Sequence, residues 1–72
     1  MKTNKLIEEI KEIQESIEGD NFTWENLYYL IEDIKAGKNP DVVAELRRIS
    51  SQVESDRFTV GNIRYLLNKL AK

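Results

Sequence analysis

The side chains that could do chemistry in this chain are carboxylates and cations. Thirteen Asp and Glu stand against eleven Lys and Arg, and there is no His and no Cys. Without imidazole or thiolate, zinc lacks its usual ligands, and covalent hydrolysis has only scattered serines as nucleophiles. Two carboxylate pairs, Glu8 with Glu12 and Glu32 with Asp33, have the residue type for general acid–base work. That work needs one carboxyl kept protonated by burial, whereas both pairs fall in charged stretches expected to face solvent. The sequence also lacks a glycine-rich phosphate loop. The expectation is a non-enzymatic chain with no cofactor and no metal.

Recognition chemistry is better represented. Tyr28 and Tyr29 sit among the acids Glu25, Glu32 and Asp33, with Trp24 one turn earlier, and Tyr65 repeats the Tyr29 setting further on. Tyrosine suits binding surfaces because it offers a large, stiff contact area with a hydrogen-bonding tip. A second set is basic: Arg47, Arg48, Arg57, Arg64, Lys69 and Lys72. Six cations could neutralise several phosphates, although their spacing shows no helix-turn-helix pattern that would carry an element into a groove. The alternative for these cations is a solvated, salt-balanced face.

Helices must position both sets. Leu6, Ile10, Ile13 and Ile17 recur at the 3- and 4-residue spacing of one helical face, as do Leu27, Leu30, Ile31 and Ile34. Val42, Leu46, Ile49 and Val53, then Ile63, Leu66, Leu67 and Leu70, repeat the pattern. The stripes predict four helices at about residues 4–18, 24–36, 40–54 and 60–71. Thr3, Thr23, Asn39 and Thr59 are the expected N-caps, with Pro40 at the first helical position of the third helix. Phe22 with Leu27, and Phe58 with Ile63, have the spacing of a hydrophobic staple. Gly19 and Gly37 are the expected helix-ending residues.

A shift of 36 residues lays the first half on the second without a gap. Glu9 falls on Glu45, Ile13 on Ile49, Glu18 on Glu54, Asp20 on Asp56, Phe22-Thr23 on Phe58-Thr59, Asn26 on Asn62 and Tyr29-Leu30 on Tyr65-Leu66. The fold expected is therefore all-α: four short helices forming two tandem hairpins, residues 1–36 and 37–72, closed into a compact pseudo-twofold bundle within one domain spanning 1–72. On a helical wheel Tyr29 lies about 200° from Leu27, so Asn26 and Tyr29, like Asn62 and Tyr65, point away from their own core stripe. They are then available for binding, or packed on the neighbouring hairpin. Trp24 falls at the edge of the stripe, half-buried.

Two helix–loop–helix units with Phe-Thr before the second helix look like a pair of EF-hands. With Phe22 as the apolar eighth loop position, however, Glu15, Ile17 and Gly19 occupy ligand positions one, three and five, and Asn26 stands where the bidentate glutamate belongs. The second unit offers Ser51, Val53, Ser55 and Asn62. No calcium binding is expected.

Charge divides unevenly. Residues 1–36 hold four Lys/Arg and nine Asp/Glu, whereas 37–72 hold seven and four, so the halves carry −5 and +3 within a net charge of −2. Either the hairpins attract each other or each half faces a different partner. At 40% apolar and 33% charged, the chain has a composition ordinary for a packed globular domain. Its apolar runs are too short for a membrane span or a signal peptide, so a cytoplasmic setting is the expectation. Three functions fit this reading. The first is a protein-binding module (a regulator, inhibitor or immunity-type protein) using the aromatic and acidic face of the second helix. The others are a nucleic-acid-binding accessory protein using the basic half, and a designed or scaffold bundle with no biological partner. Self-association is compatible with each.

Overall fold

The computed structural model describes residues 2–53 and 57–71. Four α-helices follow in order: α1 Thr3–Glu15, α2 Asn21–Lys35, α3 Val42–Gln52 and α4 Arg57–Leu70. No strand occurs among the described residues. α1 packs most closely on α2, and α3 on α4, while α2 also meets α3 and α1 meets α4. The diagonal pairs, α1 with α3 and α2 with α4, do not approach. The helices thus stand in a ring, a bundle measuring 31 × 24 × 18 Å.

The apolar stripes close that ring. Ile10, Ile13, Leu27, Leu30, Ile31, Leu46, Ile49, Ile63 and Leu66 form one buried cluster, and Leu6, Ile17, Ile34, Val42, Leu67 and Leu70 pack against it. Val53 is buried as well. Ile7, outside the predicted stripe, joins the packed shell. Helical spacing alone specifies this set, because residues three and four apart share a face.

The helix starts differ from expectation. α2 begins three residues earlier, because Asp20 and not Thr23 is its N-cap: Thr23 donates its backbone N–H to Asp20 Oδ1 at 3.0 Å and its hydroxyl to Oδ2 at 2.7 Å. Asp and Thr are both good caps, but an ionised carboxylate answers two donors at once. Thr23 is consequently buried at the third helical position. Thr59 is likewise buried inside α4, not at its start. Phe22 and Phe58 therefore lie within helices and are exposed, which removes the predicted staples.

At α3 the cap is Asp41, accepting from the Ala44 N–H at 3.1 Å, so Asn39 and Pro40 precede the helix. Asn39 adopts φ 57°, a left-handed conformation that Asn tolerates better than most side chains. Thr3 is the first residue of α1 and not its cap; Lys2 holds that position without a side-chain bond. At the other end of α1 the helix stops at Glu15, and Gly19, φ +76°, makes its turn in the loop and not at the helix terminus. The Ser16 hydroxyl, bonded to the Ile13 carbonyl at 2.7 Å, satisfies that terminus instead. Gly37 does end α2. With φ +75° it donates to the Ile34 carbonyl at 3.2 Å while Lys38 donates to Asp33 at 3.1 Å, the bond pair of a Schellman motif. The expected end of the third helix at Glu54, together with Ser55 and Asp56, lies outside the described residues.

Candidate functional site

The core contains no aromatic side chain. Phe22, Trp24, Tyr28, Tyr29, Phe58 and Tyr65, all six aromatics of the chain, are 42–68% exposed. Aromatic residues usually dominate cores, since each can bury about 150–250 Å². Here aliphatic side chains fill the interior, and four of the six rings are carried on α2.

On α2 three of those rings touch. Trp24 and Tyr28, one turn apart, stack with centroids 5.7 Å apart and planes 8° from parallel. Tyr28 meets Tyr29 edge-on at 5.7 Å and 73°. Taking 100° per residue, Tyr28, Glu32, Glu25 and Tyr29 fall in that order across about 100° of arc opposite Leu27 and Leu30. Glu25 lies one turn before the tyrosines and Glu32 one turn after, and both are exposed. A cation resting on these rings would have a carboxylate on either side. Asp33 is set to one flank, paired with Lys38 at 3.7 Å across the helix end. Behind the stack, the Gln14 amide of α1 donates to the Trp24 carbonyl at 3.4 Å and ties α2 to its hairpin partner.

Tyr29 also borders a groove of about 450 Å³ between α2 and α3, lined by Asn26, Asp33, Asp41, Glu45 and Arg48. Asn26 donates to the Phe22 carbonyl at 2.8 Å and accepts from Arg48 Nη2 at 3.3 Å, joining α2 to α3. Arg48 meanwhile holds Glu45 at 2.7 Å and reaches Gln52 at 3.5 Å. Among the described residues no three acidic side chains gather as cation ligands.

The second tyrosine site differs in one respect. Tyr65, 63% exposed, borders a smaller groove of about 220 Å³ with Glu9, Glu12, Ser16 and Asn62. Lys69 lies 4.6 Å over the Tyr65 ring and donates to Glu9 Oε1 at 3.3 Å. Here a tyrosine and a carboxylate already hold a cation of the same chain.

The basic residues do not form one surface. Arg48 is occupied at the α2–α3 seam and Lys69 at the α1–α4 seam. Arg47 is exposed on α3, and Arg57 and Arg64 are exposed seven residues apart on the outer side of α4. Lys72 lies outside the described residues. Sequence reasoning missed the exposure of Phe22 and Phe58, and it missed the Asn26–Arg48 link, which depends on how two helices cross. The absence of any ring from the four apolar stripes was the signal that all six rings lie outside the core. No helix of the described residues is long and apolar enough to cross a membrane. Set against known protein families, curated proteins and solved structures, the chain matches none of them.

Proposed function

We propose that this chain is a non-enzymatic protein-binding module, of the regulator, inhibitor or immunity type, whose contact surface is the outer face of α2. One observation carries the reading: the fold keeps all six aromatic side chains out of its core and groups three of them as the Trp24–Tyr28–Tyr29 cluster between Glu25 and Glu32. Rings in mutual contact are already ordered, so little side-chain entropy remains to be lost when a partner docks. The flanking acids select a basic partner surface and raise its encounter rate. Asp33 and Tyr65 stand at the edges of this surface and beyond it, with smaller expected shares.

The test is affinity capture with three proteins: wild type, Tyr28→Ala/Tyr29→Ala, and Arg47→Ala. The reading expects a partner retained by the wild type and the arginine variant and lost with the tyrosine variant. Equal retention by all three contradicts it. Loss with the arginine variant alone transfers the function to the basic half.

A further inference from the structure

The Tyr65 site shows which chemistry a tyrosine of this fold takes. Its ring and Glu9 hold an ammonium supplied by Lys69, one turn along the same helix. Tyr29 stands 36 residues earlier, and the residue one turn after it is Asp33, an acid. Rings and carboxylates are thus present on the outer face of α2, and among the described residues no cation of the chain lies over Tyr28 or Tyr29.

A complementary face exists on the same molecule. Arg57, Gly61, Arg64 and Asn68 fall within about 60° of arc on α4, opposite Ile63 and Leu66, and all four are exposed. Gly61, Arg64 and Asn68 stand 36 residues after Glu25, Tyr28 and Glu32, so the two faces occupy matching places on helices of 14 and 15 residues. Gly61 is the odd member. A glycine inside a helix costs roughly 0.5–1 kcal/mol relative to alanine. Its φ is not left-handed, and a Cβ built there would meet nothing within 4 Å, so the fold does not require it. Close approach by an outside backbone would.

We infer that the outer face of α2 binds the outer face of α4 of a second copy of this chain, with Arg64 seated on Tyr28 and Tyr29 between Glu25 and Glu32. The inference rests on the reading of the α2 face as a contact surface and names its occupant. α2 and α4 stand diagonally across the ring, so their outer faces turn away from each other. One copy then engages two neighbours, a head-to-tail contact that continues from copy to copy and does not stop at a dimer. A single helix-on-helix contact about 21 Å long falls short of the roughly 800 Å² per partner of a stable interface, so the association is weak.

Sedimentation velocity from about 10 µM to about 1 mM tests it, on the wild type, on Glu25→Arg/Glu32→Arg, on Arg57→Glu/Arg64→Glu, and on an equal mixture of the two variants. The expected result is a mass that rises with concentration in the wild type, each variant alone associating at least about tenfold more weakly, and association restored in the mixture. Restoration excludes misfolding as the cause of the losses. A wild type that stays monomeric throughout overturns the proposal, as does association that neither variant weakens. An oligo-arginine peptide added to monomeric wild type separates the two claims. If it binds and the Tyr28→Ala/Tyr29→Ala variant does not bind it, only the second-copy proposal falls. If it does not bind, the cation-binding reading of the α2 face falls too.

Discussion

Lys69 carries its ammonium 4.6 Å above the centre of the Tyr65 ring, and the same group donates to Glu9 Oε1 at 3.3 Å on α1. One lysine therefore joins the first and last helices, closing the ring at the seam opposite the Asn26–Arg48 bond. Both seams are polar and sit outside an aliphatic core.

The Lys69 contact makes a modest contribution to stability. Its side chain is 36% exposed and that of Glu9 17%, so water and salt screen the pair, and Lys5 stands 3.8 Å from the same carboxylate as a partial substitute. Lys69→Ala is expected to cost about 0.5–1.5 kcal/mol in urea unfolding, less at high salt, and a Lys69–Glu9 double-mutant cycle should show coupling. Additive effects would mean that Glu9 and Lys69 contribute independently of each other.

Capping gives a sharper contrast. Asp20→Ala removes the acceptor of the Thr23 N–H and of its buried hydroxyl together, and should cost about 1–2 kcal/mol. Thr23→Ser keeps the hydroxyl and loses only a buried methyl, about 1 kcal/mol. If Thr23 were the cap, Asp20→Ala would be nearly silent. Thermal unfolding of the two variants decides the order.

This pair also marks the limit of what the sequence makes legible. The stripes from Leu6 to Leu70 could be read because burial selects for period, and every stripe residue is buried or packed on the core. The helix starts could not, because Asp20 and Thr23, or Asn39 and Asp41, compete as caps by residue type. In both cases the cap is the residue whose carboxylate meets the backbone N–H three positions on, Thr23 and Ala44, a geometry that residue type does not encode. For the site, helical phase was enough to put Tyr29 and Tyr65 off their own stripes. The Trp24–Tyr28 stack, the seat of Lys69 on Tyr65 and the reach of Arg48 to Asn26 depend on rotamers and on helix crossing, which residue spacing does not encode.

The two glycines should respond with opposite signs. Gly37→Ala forces an L side chain into φ +75° at the end of α2 and is expected to lower stability by about 1 kcal/mol. Gly61→Ala fills open space in an exposed helix and should raise stability by about 0.5–1 kcal/mol. If Gly61 serves close approach of a second copy, the same substitution weakens association while it strengthens the monomer. Denaturation at low concentration and sedimentation at high concentration measure the two effects separately. A fall in monomer stability would show that Gly61 is needed by the fold.

The central claim is that this fold is held by its aliphatic core and leaves its aromatic residues for contact. Guanidinium unfolding of Tyr28→Ala/Tyr29→Ala beside Leu46→Ala tests it most directly. The tyrosine pair should stay within about 1 kcal/mol of wild type. Leu46→Ala, at a fully buried position, should lose about 2–5 kcal/mol, most of what a chain of this size has. A tyrosine variant that loses as much as Leu46→Ala would contradict the account, since those rings would then belong to the fold and not to a partner.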